Sequence, residues 1–211
     1  MRTIALAAAV LLSGCATPGP APVGAAGGPP PVLHALEAGL LWHSLARAPV
    51  PPGLAGAFGE VCGEVGEAAR QEAIEGAAEK LAQARRDVEA TPRWIIPLRQ
   101  TLGGYDLKRG GFEVNLRTGG VVRFDKFDFC QQPLAFLVAF GNGDEYQFIP
   151  VADEVARAFV RADRDRAVEL AVVVEPQHAQ EGAPPVLVVR IVGVTLKAAP
   201  GGTVLGRRGE P

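Results

Sequence analysis

Serine is almost missing from this chain: 211 residues contain only Ser13 and Ser44. Histidine and cysteine are held to three each, tryptophan and tyrosine to two, methionine to one. Each shortage removes a chemistry. A Ser/His/Asp hydrolase would have to use Ser44, but the adjacent His43 and Ser44 point apart on a helix, and no Gly-x-Ser-x-Gly elbow surrounds them. Zinc takes three or four His, Cys or carboxylate ligands, and His34, His43 and His178 form no His-x-x-x-His pair. His34 and His43 share no helix face, so both read as helix surface or boundary. Gly103-Gly104 and Gly110-Gly111 match neither a P-loop nor a dinucleotide fingerprint and read as turns. No metal or cofactor is expected.

An excess of charge is lacking too. Lys and Arg total 21 against 23 Asp and Glu, a net charge of −2. Nucleic-acid binding rests on a basic footprint. Arg161 to Arg166 and Arg207-Arg208 are mixed or short, so no nucleic-acid partner is expected. Long apolar runs are also absent. Ile4 to Leu12 is the longest near the start, well short of the about 20 residues that span a bilayer.

What is present at the start is a pattern. Arg2 precedes that short apolar run, and small residues end it, as in an export signal. Leu12-Ser13-Gly14-Cys15 then resembles the lipobox of bacterial lipoproteins. The resemblance implies cleavage after Gly14, so that 1–14 is a signal peptide, and attachment of a diacylglyceryl group to the Cys15 thiol. Two acyl chains on one residue meet the usual requirement for stable anchoring. The membrane partner would be reached through that lipid. Ala16 in place of an aspartate favours an outer-membrane location facing the periplasm. Residues 15–31, rich in Pro and Gly, form a tether whose ~16 residues typically reach ~20–25 Å.

Cys62 and Cys130 remain. In an oxidising compartment they form either a disulfide or two buried thiols. A bridge would close a loop of about 70 residues and contribute about 4 kcal/mol on the chain-entropy model. Spacing does not decide between them.

The body reads as α+β: a helical region, 32–91, followed by a mainly antiparallel β domain, 92–200. Val32 to Ala48 carries Leu33, Leu36, Leu40, Leu41 and Leu45 on one helical stripe, ended by Pro49, Pro51 and Pro52. Gly53 to Ala90 is also helical, as a hairpin or one bent helix. From Trp94 the pattern turns to β. Phe112, Val114 and Leu116 alternate with polar residues. Val122 and Phe124 are out of phase with Phe127 and Phe129, which predicts a bulge at Asp125-Lys126. Leu134 to Phe140 is a central strand. Gly141-Asn142-Gly143-Asp144 predicts a hairpin, with Tyr146 and Phe148 on the return strand. A short inserted helix follows Asp153, with Val155, Ala158, Phe159 and Ala162 on one face. Val168 to Val174 and Val186 to Lys197 are long strands, joined by a polar connector from Glu175 to Pro185. Residues 201–211 are expected to be a mobile tail. Six or seven strands suggest a small barrel or sandwich, with an OB-like barrel as one candidate.

Carboxylate pairs offer the remaining chemistry. Asp125 with Asp128, or Asp144 with Glu145, could serve a glycosidase. Asp163 with Asp165, or Asp125 with Asp128, resembles a fragment of a calcium loop, but the full alternation of oxygen ligands ending in a distal Glu is missing, so surface charge is the expected reading. Cys130 could pair with His178 only through the fold. The segment Tyr105 to Phe112 is similar to domains of unknown function in proteobacterial lipoproteins, a resemblance that carries no activity. These features point to a non-enzymatic, lipid-anchored accessory module with an envelope protein as partner. The alternatives are an envelope hydrolase using acidic residues and a carrier of a lipid or small ligand.

Overall fold

The computed structural model describes residues 28–51, 66–129 and 132–210. Cys15, Cys62 and Cys130 lie outside these residues, and with them the lipid site, the disulfide and the Cys130–His178 pairing. The described chain is α+β, as the sequence predicts. It runs α1 (Ala35–Leu45), α2 (Glu67–Ala90), β1 (Trp94–Thr101), β2 (Tyr105–Asp106), β3 (Gly111–Glu113), β4 (Val121–Phe129), β5 (Gln132–Phe140), a 3-10 turn (Gly143–Tyr146), β6 (Phe148–Pro150), α3 (Asp153–Ala162), β7 (Ala167–Gln180), β8 (Val186–Ala198) and β9 (Val204–Gly209). No described helix is long and apolar enough to cross a membrane.

The main sheet has the order β1-β7-β8-β5-β4, with β9 also on β8. All of its pairings are antiparallel except β5 with β8. It curves as a half-barrel, and α1 packs against its inner face and against α2. A smaller sheet, β2-β3-β6, joins the same core near the start of β7. The alternation of β7 is the reason for the inner face: Val168, Leu170, Val172 and Val174 all point into the core. Leu40 and Leu41 of α1 are buried there with Leu187 and Val189 of β8. Full burial of each such side chain contributes about 1.5–3 kcal/mol.

β8 is buried on both faces, and its edge opposite β7 is sealed by a relay. Leu137–Phe140 of β5 pair with Val186–Val189. Gly141 N–H then donates to the Val189 carbonyl at 2.8 Å. Asn142 comes next: its Oδ1 accepts from Ile191 N–H at 2.7 Å, and its Nδ2 donates to the Ile191 carbonyl at 3.0 Å. Glu210 N–H donates to the Val192 carbonyl at 2.9 Å. From Gly193 to Lys197 the partner is β9.

Several expectations are corrected. Gly141 to Asp144 does not form a hairpin; it turns the chain out of the main sheet, and β6 pairs with β3. A Cβ at Gly143 would collide with the Arg117 backbone, so this glycine serves close approach and not a hairpin turn. The strand at Phe112 ends at Glu113, although Val114 and Leu116 stay buried. In place of the expected polar connector, β7 continues through Pro176 to Gln180, because β8 pairs along that length. The expected tail contains β9, with Leu205 buried. On α3 the buried residues are Ala156 and Phe159, while Ala158 and Ala162 are exposed. The expected bulge is present: the β4–β5 register shifts between Phe124 and Phe127.

Candidate functional site

The carboxylates proposed from sequence are largely committed to local structure. Asp144 accepts from Thr118 N–H at 3.2 Å and from the Gln147 side-chain amide at 2.7 Å, fastening two loops. Its neighbour Glu145 faces Asn142. Asp163 accepts from the backbone N–H groups of Asp165, Arg166 and Ala167, and so shapes the turn into β7. Asp106 does the same for Lys108 and Arg109. These are the local side-chain-to-backbone bonds that aspartate favours in turns. The Asp163 carboxylate therefore has a structural task in place of a calcium-loop one. Among the described residues no group of three or more His, Cys, Asp or Glu is placed to hold a metal. The side chains of Asp125 and Asp128 lie outside the description.

Among the described residues two carboxylates are electrostatically perturbed, both toward the charged form. The Ser44 hydroxyl, and behind it Arg85, hold the Glu89 carboxyl below its ordinary value. Arg190, and then Arg93, hold Glu175 down in the same way on the outer face of the sheet. A general acid needs the opposite shift. Ser44 is thus a hydrogen-bond donor to α2, and no bond to His43 activates it.

His43 overturns its sequence reading. It is 8% exposed, on the inner side of α1, edge-on to Trp42 and Phe136 at 4.9 and 6.2 Å between ring centres. Its Nδ1 is buried without a hydrogen-bond partner. Burial, and secondarily Arg85, lower its affinity for a proton. The next-door Trp42 donates to the Gln180 carbonyl at 3.0 Å, pinning the end of α1 to the end of β7.

At the opposite end of β7 an open groove of about 440 Å³ lies between α3 and the β2–β3 turn, lined by Tyr105, Leu107, Asp153, Ala156, Arg157, Val160 and Arg161. The helical repeat explains the α3 wall: Asp153, Arg157 and Arg161 follow one another at four-residue spacing, with Ala156 and Val160 beside them. On the other wall Tyr105 is held by its hydroxyl, which donates to the Val151 carbonyl at 2.8 Å, and by an edge contact with Phe112. Leu107 stands at the tip of the turn, 78% exposed. Arg109 is drawn away from the groove, over the Phe148 ring at 3.9 Å and onto Glu113. Arg157 pairs with Asp153 at 2.7 Å. Lys108 and Arg161 have no carboxylate partner among the described residues.

Sequence reasoning missed this groove. Its signal was a lone apolar residue, Leu107, between Asp106 and Lys108-Arg109 in a turn where polar residues are the rule. The chemistry available is apolar contact bordered by charge, with the two oxygen-bearing lining side chains engaged, Asp153 by Arg157 and Tyr105 by the Val151 carbonyl. Comparison with protein-family models, with curated proteins and with solved structures gives no match.

Proposed function

We propose that this chain is a lipid-anchored cell-envelope protein whose α+β body is a non-enzymatic accessory module for another envelope component. The observation that carries the reading is the lipobox-like Leu12-Ser13-Gly14-Cys15 followed by a Pro/Gly-rich stretch that ends where the body's hydrogen bonds begin. Ile95 N–H donates to the Pro31 carbonyl, and Leu33 N–H to the Ile95 carbonyl, each at 2.8 Å. This hook fastens the chain to the edge of β1 directly after residues 15–31. In this reading a signal, 1–14, is removed, Cys15 carries the lipid, and the body hangs on the tether from the outer membrane, facing the periplasm and an envelope protein. The occupied carboxylates favour this over the hydrolase reading. In finer terms we read the half-barrel and the small sheet as two layers of a sandwich, in preference to an OB-like barrel, because no strand of the small sheet pairs with the main one.

Intact-mass analysis and detergent phase partition of the native chain and a Cys15→Ala variant test the anchor. The expected result is a diacylglyceryl adduct and detergent-phase partition for the native chain, both lost in the variant. An unmodified native chain in the aqueous phase would end the lipoprotein reading. In-cell photocrosslinking, with the same variant as control, tests the accessory role through a protein adduct that depends on anchoring.

A further inference from the structure

The relay that seals β8 runs through a dipeptide with chemistry of its own. Asn142-Gly143 is the only Asn-Gly in the sequence, and the one other asparagine, Asn115, precedes a leucine. Asparagine is thermally labile, because the main-chain nitrogen that follows it can attack its side-chain carbonyl carbon. A glycine in that place has no Cβ to shield the nitrogen or to restrict the rotation that brings it close. In an open chain Asn142 is therefore the asparagine best placed to react.

The fold sets the two reacting atoms apart. Asn142 has φ −139° and ψ 33°. With tetrahedral geometry at Cα, that ψ puts the Gly143 nitrogen nearly anti to the Asn142 Cβ, whereas closing a five-membered ring needs the two nearly eclipsed. The rotation required is opposed by several contacts. Both atoms of the side-chain amide are bonded to Ile191, at 2.7 and 3.0 Å. The Asn142 carbonyl accepts from Glu145 N–H at 3.2 Å. Gly143 is buried against the Arg117 backbone, with no room even for a Cβ. Asp144 exchanges bonds with Thr118 in both directions and accepts another from Gln147.

We propose that Asn142-Gly143 is a latent modification site, protected while the β8 edge is closed and self-converting to aspartate and isoaspartate when that edge opens. In the open chain the Gly143 nitrogen gives its proton to solvent and bonds to the Asn142 Cγ. The Cγ–Nδ2 bond breaks, and Nδ2 takes a proton from solvent and leaves as ammonia. The succinimide so formed takes up one water. Opening on the Cγ side leaves an aspartate. Opening at the main-chain carbonyl carbon leaves an isoaspartate, with the chain running through Cβ. No oxidant or reductant enters. Both products fit the relay poorly. The carboxylate lacks the Nδ2 donor and sets a negative charge against the Ile191 carbonyl, and isoaspartate adds a methylene to the main chain where Gly143 has no space. An unmodified chain can thus close its edge again after each opening, whereas a converted one closes it at a cost. The inference does not depend on the anchor.

The test incubates the full chain, folded in buffer and unfolded in urea, at one mildly alkaline pH and one temperature, and follows residue 142 by peptide mass spectrometry. In urea the expected products are aspartate and isoaspartate at 142. The folded chain should convert at least about tenfold more slowly, since the open edge is a minor population. Equal rates in the two states overturn the protection, and an unmodified Asn142 in urea overturns the site. Gly143→Ala, compared in urea where packing has no say, should convert several-fold more slowly than the native chain. Equal speed there, or aspartate without isoaspartate, overturns the succinimide route. Asp144→Ala, shown to be folded by circular dichroism, should convert faster than the folded native chain, and an unchanged rate overturns the clamp on the turn. Asn142→Asp should unfold at a lower urea concentration than the native chain; an equal midpoint overturns the cost assigned to conversion.

Discussion

Asn142 is the residue on which the main sheet turns. Its side-chain amide reproduces both hydrogen bonds that a neighbouring strand would give Ile191, in the gap between Val189, where pairing with β5 ends, and Gly193, where pairing with β9 begins. Asn142→Ala leaves a buried N–H and a carbonyl short of partners and is expected to cost about 1–3 kcal/mol, read from the urea midpoint. His43 makes a second prediction. Its folded-state proton affinity is lowered, chiefly by burial, below the ordinary value of 6.5. The unfolded chain therefore binds the proton first. Stability from a neutral His43 is fully present above about pH 6.5 and declines as pH falls through the window below it. Glu89 and Glu175, held down by their partners, add a further loss only at lower pH, below the ordinary carboxylate value of 4.5. Thermal melts between about pH 7 and 5 should fall for the native chain and stay nearly level for His43→Gln. An unchanged slope in the variant would assign the acid sensitivity elsewhere. Neither role was legible in the sequence. Asn-Gly-Asp carries a hairpin signal that is local, whereas the bond to Ile191 spans 49 positions. A histidine on a leucine-rich helix does not reveal which side it faces.

At the level of elements, periodicity served well where one face is buried and poorly where burial is two-sided or pairing is distant. α1 and β7 were legible because their apolar residues repeat at helical or alternating spacing, and β5 and β8 because a continuous apolar or β-branched run reads as a strand without any period. β9 was not. Val204–Gly209 has one well-buried apolar side chain, Leu205, and its strand character comes from the edge of β8 waiting for a partner. Its apparent flexibility, read from Gly and Arg content, was composition mistaken for dynamics. The expected outcome of Leu205→Asp is a loss of more than about 3 kcal/mol, since a charge would be driven into the core. Hydrogen exchange should speed up selectively at Gly193–Lys197 amides. If their protection survives the substitution, β9 is not what shelters that edge. The groove wall on α3 was half legible. Helical spacing placed Phe159 inward, but the partner wall comes from a turn some 50 positions away, and nothing local links the two.

For the molecule as a whole, the fold class followed from the order of its patterns, helices before strands, while the topology did not. The parallel pairing of β5 with β8 requires the chain to leave the sheet, build β6 and α3, lay down β7 and then return. That excursion is also what places α3 beside the β2–β3 turn and creates the groove. The relay along β8 has a consequence in time. Synthesis delivers β5 first, then β7 and β8, and β9 only afterwards. Until Val204 to Glu210 emerge, the most apolar strand in the body, β8, has the far half of one edge bare. A ribosome-bound chain is therefore an unfinished sheet, and the interval before β9 arrives is when a chaperone has the most to hold.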